Sequence, residues 1–261
     1  MFLERISWMQ AQEYFKHGDL AVIPVGSTEN HGSQLSLGTD FLIPRRLCEM
    51  MDPRLDCLIA PTIPFGVGDQ HTHFPGTITI GPDGLYDLLK RVTDELYGWG
   101  IRRFVFLNGH GGNTPVIQRI CLELDDRNAL GCMLNWWILA GELNPDWKGG
   151  HGGAEETAAM MAIDPSCVHM DLFMPFEPKD LTADLKFAGS FNVSFNGVTV
   201  PVPRHVDRYS SCGWYGPDSP ETATEEWGKA MLSATADFCV DFIRKFQEAP
   251  IPGAPSVPES R

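Results

Sequence analysis

The 261-residue chain is short of positive charge: 20 Lys and Arg stand against 34 Asp and Glu, a formal net charge of −14. Without a basic face it has no means of neutralising a nucleic-acid backbone or an anionic membrane, which leaves small molecules as the expected partners. No apolar run approaches the roughly 18 residues of a membrane span. Glu4 and Arg5 interrupt the N-terminal segment where a secretory signal needs an unbroken apolar stretch. A soluble, cytoplasmic protein is expected. The seven cysteines are odd in number and include no Cys-x-x-Cys pair, so neither a disulfide framework nor a thiolate zinc site is indicated. No Gly-x-Ser-x-Gly elbow surrounds a serine, and the glycines of residues 108–113 match neither a dinucleotide fingerprint nor a phosphate-binding loop. Serine-hydrolase, redox and kinase chemistries fall away.

What is present is an alternation. Apolar runs at Leu20 to Val25, Cys57 to Ile63, Phe104 to Leu107 and Cys132 to Leu139 are separated by helical patterns, which favours a parallel sheet covered by helices. Leu85, Leu88, Leu89, Val92 and Leu96 fall at helical spacing between Gly84 and Trp99, and Gly98 and Gly100 end that helix. The stretch FNVSFNGVTVPVP carries an Asn-Gly turn between alternating residues and reads as a hairpin. A last helix is expected from Pro220 to Phe246. No internal linker or repeat is apparent, so residues 1–247 are taken as one domain, followed by a proline-rich tail over 248–261 with no core pattern.

Three polar clusters fall at strand or loop ends, at the edge where open α/β sheets bind ligands. The first, GSTENHGSQLSLGTD over residues 26–40, places Glu29, His31 and Asp40 within a dozen residues of a buried strand. An imidazole with two carboxylates is a mixed N/O donor set suited to zinc, manganese or iron. The plainer alternative is a polar loop whose Thr39 or Asp40 caps a helix running from Phe41 to Met51, with Pro44 in its first turn. The second cluster, NGHGGN over 108–113, puts His110 at the end of a strand spanning Arg103 to Leu107. The third, HGGAEET from His151 to Thr157, opens a helix; its Glu155 and Glu156 would complement the helix dipole even with no other role.

In order and spacing, GSTENHG with LGTD, HFPGT at His73 to Thr77, NGHGGN, HGGAEET and PDSPETATEEWGKAML at 217–232 resemble the motifs of the creatininase family. The resemblance implies a three-layer α/β/α fold with a mostly parallel sheet and a metal site at the carboxyl ends of its strands. It implies metal ligation by Glu29, His31, Asp40 and His110, with Asp40 bridging, His31 and His110 on one metal and Glu29 on the other. Creatininase proper carries a Tyr and a metal-binding Glu where this chain has Gly111 and Gly112; Glu156 is the natural substitute ligand, or a base, for one or two divalent cations. His151 would be catalytic, passing a proton to the leaving group. His73, Asn113 and Trp137 are expected against the substrate; His71 and His73, one residue apart, would share a strand face as substrate-loop or structural residues, and Trp136 and Trp137 end a strand where they would wall the pocket or belong to the core. His169 and His205 have no recognisable context.

The function so implied is metal-dependent hydrolysis of a small cyclic amide or formamide at its C–N bond. Two alternatives stay open: C–C hydrolysis of a cyclic diketone such as a diketo-inositol of the 3-dehydro-scyllo-inosose type, and a catalytically silent metabolite-binding protein. The family also implies a homo-oligomer, commonly a hexamer.

Overall fold

The computed structural model describes residues 1–251. Residues 252–261, most of the expected tail, lie outside the described residues. Four strands, β1 (Leu20–Val25), β2 (Leu58–Ile59), β3 (Arg103–Asn108) and β4 (Leu130–Asn135), form an all-parallel sheet in the order β2-β1-β3-β4. Helices α1 (Trp8–Tyr14), α2 (Thr39–Met51), α3 (Gly81–Gly98), α4 (Thr114–Asp125), α5 (Trp136–Leu143), α6 (Ala154–Ile163) and α7 (Glu225–Glu248) cover it. A small antiparallel sheet, β5 (Lys186–Phe187), β6 (Asn192–Phe195) and β7 (Val198–Pro201), stands apart from the main one.

The period-two geometry of strands divides the core in two. Leu20 and Val22 of β1 and Val105 and Leu107 of β3 face α2, α6 and α7, where they meet Leu47, Met160 and Val240. Ala21, Ile23 and Val25, with Phe104 and Phe106, point the other way onto Leu85 and Leu89 of α3 and Ile117 and Ile120 of α4. The result is the expected three-layer α/β/α arrangement. Because β1 and β3 are buried on both faces, they read as unbroken apolar runs.

Several expected boundaries move. The run from Cys57 to Ile63 yields only the two residues of β2, since Pro61 cannot donate to a ladder; one further bridge joins Val25 to Ile63. The run from Cys132 to Leu139 is two elements: β4 stops at Asn135 and α5 begins at Trp136, so the tryptophans open a helix rather than end a strand. A continuous apolar run does not distinguish these outcomes. Pro220–Thr222 forms a separate 3-10 turn, and α7 starts after Thr224, whose hydroxyl accepts the Trp227 N–H. The hairpin is as expected: Asn196 and Gly197 take φ of 49° and 79° between β6 and β7, as a type I′ turn requires.

Among the described residues no helix is long and apolar enough to cross a membrane. Arg103, at the start of β3, pairs with Asp19 and donates to the carbonyls of Phe246 (3.2 Å) and Ala249 (2.6 Å), tying the last turn of α7 to the sheet. Replacing Arg103 by Met leaves these carbonyls without their donor and should lower unfolding stability by roughly 1–3 kcal/mol in a urea titration; an unchanged midpoint would show that water serves the carbonyls equally well.

Candidate active site

The loops leaving β1 and β3 converge because long-range hydrogen bonds shape them. After β1, the Thr28 hydroxyl donates to the Pro64 carbonyl (2.7 Å), and the Glu29 N–H donates to the Leu37 carbonyl (3.0 Å). These contacts turn Glu29 and His31 inward toward Asp40, in the first turn of α2. Gly38, the residue before that helix, supplies no side-chain cap, and neither Thr39 nor Asp40 acts as one. The acidic group at this helix start faces the site instead.

From the third cluster comes α6, whose N-terminus lacks a local capping side chain; Asp218, from a distant loop, accepts the Glu155 N–H (3.0 Å). Gly152 holds φ at +65°, and a Cβ there would stand 2.7 Å from the His31 carbonyl, so the turn requires glycine. Its N–H donates to Glu156 Oε2 (2.6 Å), fixing that carboxylate over His31.

Glu29, His31, Asp40, His110 and Glu156 meet in the interior, none more than 9% exposed. The two oxygens of Asp40 divide the histidines: Oδ1 lies 2.8 Å from His31 Nε2, and Oδ2 lies 3.0 Å from His110 Nδ1. His110 Nδ1 is also 3.2 Å from Glu29 Oε1, and His31 Nε2 is 3.8 Å from Glu156 Oε2. Two groups able to hold a metal ion therefore share Asp40: Glu29 with His110, and His31 with Glu156. This pairing differs from the expected one, in which His31 and His110 fell together. They separate because β1 and β3 deliver them to opposite oxygens of one carboxylate.

Backbone carbonyls orient both rings. His31 Nδ1 lies 3.1 Å from the Glu29 carbonyl and His110 Nε2 2.9 Å from the Val67 carbonyl. A carbonyl only accepts, so each of these nitrogens carries the proton, and the opposite nitrogen of the neutral ring turns its lone pair toward Asp40. Lone pairs of nitrogen and carboxylate oxygen then face each other at hydrogen-bond distance, which calls for a cation between them. Protons can fill that need. Burial opposes the charged form of His31, but Asp40, Glu156 and Glu29 outweigh it and hold the ring up at about 10. Burial likewise opposes the charges of His110 and Asp40; their carboxylate and imidazole neighbours raise the first well above, and hold the second well below, the ordinary range. Burial pushes Glu156 up to about 7, against the pull of His31.

A third imidazole, which sequence reasoning did not place in the cluster, joins it. His71 is fully buried, with Nε2 3.2 Å from Glu29 Oε1, while the Asn30 amide donates to Nδ1 (2.8 Å). It does not share a strand face with His73, since Asp69–His71 is a 3-10 turn that sends His71 inward and leaves His73 at the rim. Burial, opposed by Glu29, depresses its pKa to about 4. The three-residue turn gives no periodic signal by which the sequence would have marked it.

His151 lies between the rings of His31 and His71, 4.4 Å from each, and against Tyr215 at 5.0 Å. Its Nε2 has no hydrogen-bond partner although buried. Burial and the three neighbouring histidines hold it well below the usual imidazole range, so the ring is neutral. Asp40, His71, His110, His151, Glu156 and Tyr215 line a cavity of about 840 Å³ together with Trp137, Gly111 and Gly112. Trp136 is wholly buried in the core instead. Asn113 sits behind the cavity wall: its side chain accepts from the Val67 N–H and donates to the Gly26 carbonyl and to Asn108, joining three loops rather than facing a substrate. His73 pairs with Asp207 (2.9 Å) and stacks on His205 at 3.9 Å, and it is His205 that lines the cavity.

A family model described as creatinine amidohydrolase matches residues 4–243. The chain belongs to the creatininase family. It is similar to a creatinine amidohydrolase of Pseudomonas putida, 27% identical over 268 residues, 94% of this chain and 96% of that protein. It is 30% identical to a mycofactocin precursor peptide peptidase of Mycobacterium tuberculosis, over 88% of this chain and 86% of the relative. A 3-dehydro-scyllo-inosose hydrolase of Thermotoga maritima is 28% identical over 69% of this chain and 61% of its own length. Among solved structures, a creatininase in a manganese form superposes with a TM-score of 0.75 at 25% identity, covering 94% of this chain and 97% of the other. These relatives are hydrolases, and this chain is a creatininase-family hydrolase.

The position of His71 generates a prediction. In His71→Phe, Glu29 loses the ring that orients it, and metal affinity should fall about 10–100-fold when stripped protein is titrated with manganese or zinc; an unchanged affinity would reduce His71 to packing.

Proposed function

We propose that this creatininase-family hydrolase is metal-dependent and cleaves a C–N bond of an amide, with Asp40 bridging two divalent cations. The observation that carries the reading is the division of the Asp40 oxygens between two histidines whose proton-bearing nitrogens face backbone carbonyls. Glu29 Oε1 and Asp40 Oδ2 are buried with imidazole nitrogens as their nearest polar neighbours, which fits a site completed by cations. When bound, zinc, manganese or iron supplies Lewis acidity toward the carbonyl and lowers the pKa of a water to about 7.

The chain's own residues do the rest. With Asp40, Glu29 and His110 would hold one cation, and His31 and Glu156 the other. Glu156 takes the place left by the family glutamate. A side chain at Gly112 would collide with the Val67 carbonyl at 2.2 Å and with the His110 ring at 2.6 Å, so no ligand can come from there without moving the loop. His151, neutral and with an unpartnered Nε2 at the cavity wall, is the group that accepts a proton and returns it to the departing nitrogen. Gly111 has open space where a Cβ would be, so the cavity is wide at the point where creatininase proper places a Tyr. This width argues for a substrate larger than creatinine.

Two similar proteins are named for amide cleavage, an amidohydrolase and a peptidase, which supports the C–N reading. The 3-dehydro-scyllo-inosose hydrolase favours a second reading, ring opening of a cyclic diketone by the same attack on a carbonyl. A silent binding protein is disfavoured because every expected ligand is present and inward-facing. A homo-oligomer, commonly hexameric in this family, remains part of the proposal; light scattering on the purified protein is its check.

Asp40→Ala should lose tight binding of both cations and at least 10³-fold of turnover, roughly 4 kcal/mol of transition-state stabilisation. Full turnover in that variant would sink the mechanism. Glu156→Gln should lose one metal equivalent per chain by elemental analysis, whereas full occupancy with a lost rate would make Glu156 a base. Gly111→Tyr should keep both equivalents and reduce kcat/KM for bulky amides by about tenfold or more, a steric loss of roughly 1–3 kcal/mol.

A further inference from the structure

The mouth of the cavity carries a charge that the hydrolytic reading does not use. Arg204 is the one lysine or arginine among the described residues that line it. The guanidinium is half-buried; its Nε and one Nη are shielded from solvent and have no hydrogen-bond partner. Asp207, three residues on, is engaged by His73 and Arg208 rather than by Arg204. The Tyr209 ring, its centroid 5.5 Å from Cζ, gives a distant cation–π contact but accepts no N–H hydrogen bond. His205 beside it also lines the cavity and has a buried Nδ1 without a partner.

A shielded guanidinium with open donors is costly unless something brings the opposite charge. The segment that bears it is stiff: Pro201 and Pro203 fix the backbone, and the Val202 N–H donates to the Phe191 carbonyl at 2.5 Å. The His73 ring, held by Asp207, stacks beneath His205. The arrangement is therefore built before any ligand arrives. We propose that Arg204, assisted by His205, is a specificity determinant that receives a carboxylate of the substrate while the substrate's amide lies at the Asp40 cluster. This rests on the amide-hydrolase reading above and names the substrate class as an amide that carries a carboxylate.

A carboxylate fits better than a phosphate. One guanidinium balances one negative charge and binds a planar carboxylate through two parallel hydrogen bonds. The same cavity is lined by Asp69 and Glu155, which disfavour a dianion.

The test uses metal-loaded wild-type protein, Arg204→Met and Arg204→Lys, titrated calorimetrically at fixed ionic strength with acetate, with the dicarboxylates succinate through suberate, and with inorganic phosphate. Acetate sets the single-carboxylate baseline for each protein, against which the dicarboxylate affinities are read. One dicarboxylate should bind the wild type at least tenfold more tightly than Arg204→Met, with Arg204→Lys between them. Because the Met variant removes an unpaired shielded charge, its Tm should rise by about 2–4 °C. Equal dicarboxylate affinities, or a lowered Tm in Arg204→Met, would make Arg204 a structural residue and overturn the proposal. Arg204-dependent binding of phosphate stronger than that of every dicarboxylate would overturn the carboxylate assignment.

A separate activity arm compares N-formyl-β-alanine with its neutral amide. Preference for the acid by tenfold or more, erased in Arg204→Met, supports the proposal. Equal cleavage of both would count against Arg204 while leaving amide hydrolysis intact. Cleavage of neither would count against the hydrolytic reading, with the titrations still deciding the role of Arg204.

Discussion

The site depends on one buried carboxylate, Asp40, with a histidine on each oxygen. Ionised groups in an interior are tolerated only when their charges are matched and their remaining hydrogen-bonding capacity is used. Asp40 meets that condition by lying in the first turn of α2, close to the ends of β1 and β3, where His31 and His110 are delivered from opposite sides. The layers behind it, Val22 and Val105 against Leu47 and Ala21 and Phe104 against Leu85, hold the two strands in the register that sets this spacing.

Around that carboxylate, the chain uses backbone groups to fix what side chains cannot fix alone. Carbonyls of Glu29 and Val67 choose the ring nitrogens that face inward, and the Gly152 N–H holds Glu156. Such outer contacts orient metal ligands and make them better donors. They also explain why loops rather than strands carry the chemistry: a loop can place an acceptor or donor at any angle, provided other parts of the chain pin it. Asn113 is such a pin, since its side chain joins the loops after β1, β2 and β3 without lining the cavity.

Much of this was legible in the sequence. Doubly buried strands and the apolar rows of α3 carry strong local signals, and the polar clusters at strand ends marked Glu29, His31, Asp40, His110, His151 and Glu156 as convergent. What was not legible depends on distant partners. His71 enters through a single 3-10 turn, and the pairing of each histidine with its carboxylate follows from strand order. Trp136 opens a helix inside an unbroken apolar run, and Asp218 caps a helix more than sixty residues before it. Arg204 and His205 stand in a proline-flanked segment with no periodicity, so only the folded cavity brings them into view.

A carboxylate that bridges two cations leaves a direct spectroscopic mark. X-ray absorption spectroscopy on the manganese- or zinc-loaded protein reads it. Bridging by Asp40 predicts nitrogen and oxygen ligands with a metal–metal vector of about 3.5–4 Å. A fully active protein whose spectrum fits one isolated metal, with no metal neighbour, would contradict it.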